Sequence, residues 1–176
     1  MTPLADASND ALADVRVLSF DVDDTVTRDG LFEACALDAM YRARDAGVTL
    51  IAATGRPMGW AEVFAATWPV RAAIGENGAG IAVRGRATSL VLDADDAAAR
   101  RAHAKAIVRA AHPAIALSHD DPLRRVDVAF DIGEHACVPE ASIMALRVTL
   151  ERVVTKPSSS CLLYTSDAAD ERSRVD

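Results

Sequence analysis

The sequence predicts an α/β fold, a Rossmann-like parallel sheet followed by a smaller α+β module, and three observations predict it. Two largely apolar runs, Val15–Phe20 and Val48–Ala53, flank a stretch with helical periodicity, the βαβ pattern of parallel strands joined by a right-handed crossover. Each run ends abruptly in polar residues, Asp21-Val22-Asp23-Asp24-Thr25 after the first and Thr54-Gly55-Arg56-Pro57 after the second. In open α/β sheets ligands bind beyond those carboxyl ends. From about residue 94 the order changes to long helices separated by short strand-like runs, an α+β arrangement.

Composition narrows the class. In 176 residues, 51% apolar and 26% charged, a packed core is expected and disorder is not. The net charge of −7 excludes non-specific nucleic-acid binding, which needs basic surface. Met1–Asp14 reads as a tail with neither a basic nor an apolar leader region, and no run reaches membrane-spanning length. A soluble cytoplasmic protein with no membrane partner is the expectation. Cys35, Cys137 and Cys161 lack metal-ligand spacing and an even count, so they are expected as idle thiols. The oligomeric state stays open.

Each element follows from local chemistry. Val15–Phe20 is expected as a buried strand, and Thr25–Phe32 as a short flap over the site. Glu33–Ala46 carries apolar residues at Ala34, Leu37, Met40 and Tyr41 and stops at Gly47, an amphipathic helix with a glycine cap. Val48–Ala53 is the second strand, and Pro57 suits the first turn of the helix Gly59–Trp68. Trp60, Val63, Phe64 and Trp68 are expected in the core. Val70–Ile74 is a third strand, leading into Gly75-Glu76-Asn77-Gly78-Ala79-Gly80, where Asn-Gly signals a hairpin with positive φ at both residues. A hairpin turning at Arg84-Gly85-Arg86 follows, over Ile81–Leu92.

Further on, Asp95–Ala111 has acids early and Arg100, Arg101, Lys105 and Arg109 later, the order a helix dipole favours. Ala114–Leu117 and Arg125–Ile132 read as strands, the second with Val126, Val128 and Phe130 on one face and Asp127, Ala129 and Asp131 on a wet face. Pro139–Val153 is a last helix, with Met144, Leu146, Val148 and Leu150 apolar. His119-Asp120-Asp121, followed at once by Pro122, reads as a polar loop rather than a metal site.

Asp21 and Asp23, two apart, project to one side if the strand conformation persists. Like charges so held repel unless a cation neutralises them, and Mg2+ prefers such hard oxygen ligands. Acids after a strand also serve as caps and turn formers, and Thr54 at a helix start as an ordinary cap. The combination is more specific. Asp21-Val22-Asp23-Asp24-Thr25 matches the D-x-D-x-T signature of the haloacid dehalogenase (HAD) superfamily. Thr54-Gly55-Arg56-Pro57 resembles the second motif of its phosphatases with a type IIB cap. Gly75-Glu76-Asn77-Gly78-Ala79 resembles the element that follows in Cof-like and sugar-phosphate phosphatases.

The resemblance implies a Mg2+-dependent phosphatase that hydrolyses small phosphomonoesters, notably sugar phosphates, through an aspartyl-phosphate. It implies Asp21 as nucleophile and Asp23 as general acid/base, both at the metal, with Asp24, Thr25, Thr54, Gly55 and Asn77 around the phosphate and Arg56 facing substrate. The implied organisation is a tail over 1–14, an incomplete HAD core over 15–88 and a partial α+β type IIB cap over 89–160. The family's third-motif lysine and its fourth motif, G-D-x-x-N-D, have no counterpart, so the chain is expected to be an inactive fragment of its parent. Residues 161–176 stand apart: Cys161–Glu171 back-translates to DNA resembling a transposase adapter from sequencing-library preparation, and Arg174–Asp176 to the next adapter block. They are expected not to be native sequence. A phosphomutase within the family, a phospho-accepting signalling module and a non-catalytic phosphosugar-binding protein stay open as alternatives.

Overall fold

A computed structural model describes residues 12–133 and 135–154. In chain order the elements are β1 (Val17–Asp21), β2 (Thr27–Arg28), β3 (Leu31–Phe32), α1 (Ala34–Asp45), β4 (Thr49–Ala53), α2 (Met58–Thr67), β5 (Ala72–Gly75), β6 (Gly80–Val83), β7 (Ser89–Leu90), α3 (Ala94–Ala111) and α4 (Glu140–Val154). Short 3₁₀ turns occupy Glu76–Gly78 and Asp121–Leu123.

Five strands form a mixed sheet in the order β1-β4-β5-β6-β7. The first three are parallel, with Asp21 beside Ala53 and Ala53 beside Ile74. The registers bring Asp21, Thr54 and Gly75 to one carboxyl edge. β6 and β7 return antiparallel, so the sheet continues past residue 88. Gly75 pairs with Gly80. A Cβ at either position would lie 2.7 Å from Met58 Sδ, so the glycine pair lets the start of α2 settle directly on the sheet.

The helices end where their chemistry predicts. Gly47, at φ 86, follows α1, whose last turn carries Arg42 and Arg44. The Asp93 carboxylate accepts from the Asp95 N–H at 2.9 Å and caps α3. The main core joins Leu50 and Ala52 of β4, Ala73 of β5 and Ala82 of β6 to Met58, Ala61 and Phe64 of α2. Phe64 stacks on Trp68 at 4.0 Å between ring centroids, and Trp68 meets Phe32 at 4.7 Å. Fully burying one large apolar side chain is worth about 1.5–3 kcal/mol, which fixes α2 over the sheet. A second cluster packs Val108 of α3 against Leu146 and Leu150 of α4.

Several expectations are corrected. β1 is an edge strand among the described residues, and Val17 and Leu18 are exposed rather than buried because nothing described covers them. Thr25–Phe32, expected as a flap, takes the form of a β2–β3 hairpin turning at Asp29 and Gly30, both at positive φ, which leaves that expectation standing. Trp60 and Val63 of α2 are exposed, as are Met144 and Val148 of α4, since each helix buries only one stripe. Ala114–Leu117 and Arg125–Ile132 form no strands. They share one antiparallel bridge, Leu117 to Phe130. The face expected to be wet is buried at Asp127 and Asp131, 2% and 5% exposed, because ionic and backbone partners take the carboxylates in. The expected adapter-derived segment and most of the N-terminal tail lie outside the described residues.

Candidate active site

Val22 organises the first motif. Its side chain is buried, and its carbonyl accepts from Val26 N at 3.1 Å and from Thr27 N and Thr27 Oγ1 at 3.3 Å, folding the chain back just after β1. Asp24 adopts φ 56, a left-handed conformation that Asp tolerates and a tight turn needs. Its N–H donates to Thr27 Oγ1 at 3.2 Å, and the Thr25 N–H to the Val22 carbonyl at 3.4 Å. Those two groups, implied at the phosphate, are therefore engaged within the turn. Asp24 and Thr25 are both exposed.

The two motifs meet through side chains. Thr54, buried at the end of β4, donates from Oγ1 to Asp23 Oδ2 at 3.2 Å and accepts from the Arg56 N–H at 3.0 Å. Arg56 closes the pairing from above, with Nε at 2.8 Å and Nη2 at 2.6 Å from Asp23 Oδ1. Its guanidinium also lies 5.2 Å from the centre of the exposed Trp60 ring. Asp23 is thus held on both oxygens, while Asp21 stands at the exposed strand end.

Partial burial holds the Asp21 carboxyl above its ordinary range. The negative charges of Asp23 and Asp24 add to that shift, and a hydrogen bond from the Val22 backbone opposes it. Asp23 and Asp24 thus bring like charge toward Asp21 at the edge of the sheet. Mg2+ needs only one or two carboxylates beside water and phosphate oxygens; of the two expected at the metal, the Asp21 carboxylate is exposed at the strand end, whereas that of Asp23 is engaged by Arg56. Among the described residues no three His, Cys, Asp or Glu side chains converge into a metal-binding group.

Gly55 and Asn77 adjoin. A Cβ on Gly55 would lie 3.0 Å from Asn77 Oδ1, so any larger residue there requires the Asn77 side chain to give by a few tenths of an ångström. Asn77 sits at φ 55, donates its backbone N–H to the Thr54 carbonyl at 3.2 Å, and keeps Nδ2 buried without a hydrogen-bond partner. Asn77 and Gly78 both show the positive φ expected of Asn-Gly, but Glu76 shares it, at φ 49, and the connection from β5 to β6 runs over four residues.

Three groups escaped the sequence reading. Glu76 is fully buried, Arg124 is 8% exposed and reaches the Gly55 carbonyl at 3.2 Å, and Asp127 holds Arg124 at 2.7 Å. Burial, with the nearby Glu76 carboxylate, pushes Asp127 up to about 6 against the opposing pull of Arg124. A carboxylate set between glycines at Gly75-Glu76-Asn77-Gly78 was the one available signal. Asp121, in the loop read as polar, is buried between Arg101 at 3.1 Å and Lys105 at 2.5 Å.

A parallel-stranded edge that brings an acid cluster against a threonine-and-glycine loop places a candidate ligand site where open α/β sheets bind their ligands. The model of the haloacid dehalogenase-like hydrolase family matches residues 18–119, more than half of the chain, and the chain belongs to that family. No curated protein matches it. Among solved structures, it is similar to Thermoplasma acidophilum 0175 at TM-score 0.64 and 15% identity, covering 80% of this chain and 58% of that one. It is also similar to BT1666 from Bacteroides thetaiotaomicron, described among phosphatases of the HAD superfamily, at TM-score 0.44 and 20% identity, covering 90% and 52%. The family match, with this first likeness in fold, bears out the HAD-like α/β fold. The chain thus spans little more than half the length of these proteins. No helix among the described residues is long and apolar enough to cross a membrane.

Proposed function

We propose that this chain carries the phospho-acceptor part of a Mg2+-dependent phosphatase acting on small phosphomonoesters, sugar phosphates foremost. The supporting observation is the hydrogen bond between Thr54 and Asp23, which sets the second-motif loop against the acid cluster within one sheet edge. Asp21 attacks phosphorus and the substrate alkoxide leaves, protonated by Asp23. Asp23 then takes a proton from water, which attacks the aspartyl-phosphate and frees Asp21 and inorganic phosphate. Before acting as an acid, Asp23 must exchange its contact with Arg56, and an arriving phosphate is the natural competitor for that guanidinium. Thr54 and the Gly55 loop, with Asn77 beside them, receive the phosphoryl oxygens. Mg2+, held by Asp21 and the Asp23 carbonyl, would neutralise charge on the transferring group. Trp60 beside Arg56 offers an exposed aromatic face of the kind a sugar ring packs on.

Turnover by the chain itself is expected to be very slow. Lys105, the one lysine among the described residues, is taken by Asp121, and a missing charge stabiliser costs about 10²–10³-fold. The test therefore reads the acceptor before the rate. With Mg2+ and beryllofluoride, a mimic of an acyl phosphate, a bound 19F signal is expected that disappears in Asp21→Asn and on chelation. Its absence from the unmodified chain, or its persistence in Asp21→Asn, overturns Asp21 as acceptor. Brisk phosphate release from p-nitrophenyl phosphate would instead overturn the expectation of slow turnover.

A further inference from the structure

Glu76 lies between the second-motif loop and the second module, and its carboxylate is 0% exposed. Oε1 accepts from the Met58 N–H at 2.9 Å and the Arg125 N–H at 2.7 Å. Oε2 accepts from Val126 N at 2.7 Å and Asp127 N at 2.8 Å. A buried carboxylate is tolerated only when its lone pairs are met, and here four backbone donors from two distant segments meet them. The left-handed backbone of Glu76 also matters. Its own N–H donates to the Arg56 carbonyl at 2.9 Å, and the next N–H, from Asn77, reaches Thr54.

On the other flank Arg124 donates to the Gly55 carbonyl and to Asp127 Oδ1, so its guanidinium is delivered to the loop by the very segment Glu76 holds. Thr54–Arg56 is gripped from both sides by groups whose placement runs through one carboxylate. We propose that Glu76 is a positioning residue that locks Arg124–Asp127 onto the Thr54–Arg56 loop, so that the two segments open only as one unit. This part of the second module is then a fixed wall of the site, not a swinging lid. The functional meaning rests on reading Thr54–Arg56 as the phosphate loop; the mechanical statement does not.

Native-state hydrogen exchange on the 176-residue chain tests it. The Met58, Arg125, Val126 and Asp127 amides should share one opening transition in the unmodified chain. In Glu76→Gln, whose carboxamide turns an N–H toward two of the donors, they should exchange at least about tenfold faster together, while the amides of β4 and β5 keep their protection. Independent opening of Arg125–Asp127 and Met58 in the unmodified chain overturns the proposal, as does a uniform loss of protection in Glu76→Gln. Should Glu76→Gln fail to fold, the unmodified chain still decides. Failure of the phosphate-loop reading would show separately, as missing beryllofluoride binding with shared opening intact.

Discussion

Two groups of carboxylates sit a few residues from the same loop and lead opposite lives. Asp21, Asp23 and Asp24 end a strand at the surface, repel one another and leave Asp21 open to solvent. Glu76 and Asp127 are buried in a junction where backbone N–H groups and Arg124 surround them. The same functional group thus faces solvent in one place and does carpentry in the other, and what separates the two is burial rather than the number of donors, since Asp23 is held by Thr54 and Arg56 while Asp127 is met by Arg124 alone.

That contrast can be broken from the buried side first. Glu76→Ala orphans four N–H groups, three of them in buried bonds, and at about 1–3 kcal/mol for each buried one the loss should be on the order of 5 kcal/mol. Urea unfolding should show it as a collapse of the midpoint; a change under about 1 kcal/mol would make the junction ornamental.

The second prediction concerns pH. With a folded pKa of about 6 and an ordinary value of 3.8, the folded protein takes up a proton on Asp127 in a range where the unfolded chain does not. The stability contribution of this group therefore rises as pH falls through 6 and levels off below 3.8. Measured against Asp127→Asn, the unmodified chain should gain about 1–2 kcal/mol between pH 7 and pH 5, and an equal change in both proteins would refute the assignment. Asp21, also raised, moves in the same direction.

The smallest effect falls where the second-motif loop meets the acid cluster. Thr54→Val keeps the shape but removes the donor to Asp23 and the acceptor for the Arg56 N–H, costing about 1–2 kcal/mol by thermal denaturation. If Thr54 contributes nothing, the link between the two motifs is weaker than its geometry states.

Much of the sheet and part of the site were legible in the chain. Largely apolar runs ending in Asp21 and Thr54 announced parallel strands and their shared edge, because periodicity and strand ends are local signals. The pairing of Arg56 with Asp23 was not legible, since it depends on a register between residues 33 apart in sequence. Glu76 was hidden for a different reason. Its partners are main-chain N–H groups, which leave no trace in side-chain spelling. The alternation over Arg125–Ile132 misled because polarity was read as exposure, whereas Asp127 and Asp131 are acids brought inside by partners. β1 misled in the opposite sense: apolar residues need not be covered by what is described.

That first strand has a consequence for handling the molecule. One side of Val17–Asp21 hydrogen-bonds β4, and among the described residues no strand pairs with the other side, where Val17 and Leu18 are exposed. Such an edge is a template onto which any extended chain can add, its own copies included. Any strand addition at that edge is expected to run alongside Asp21.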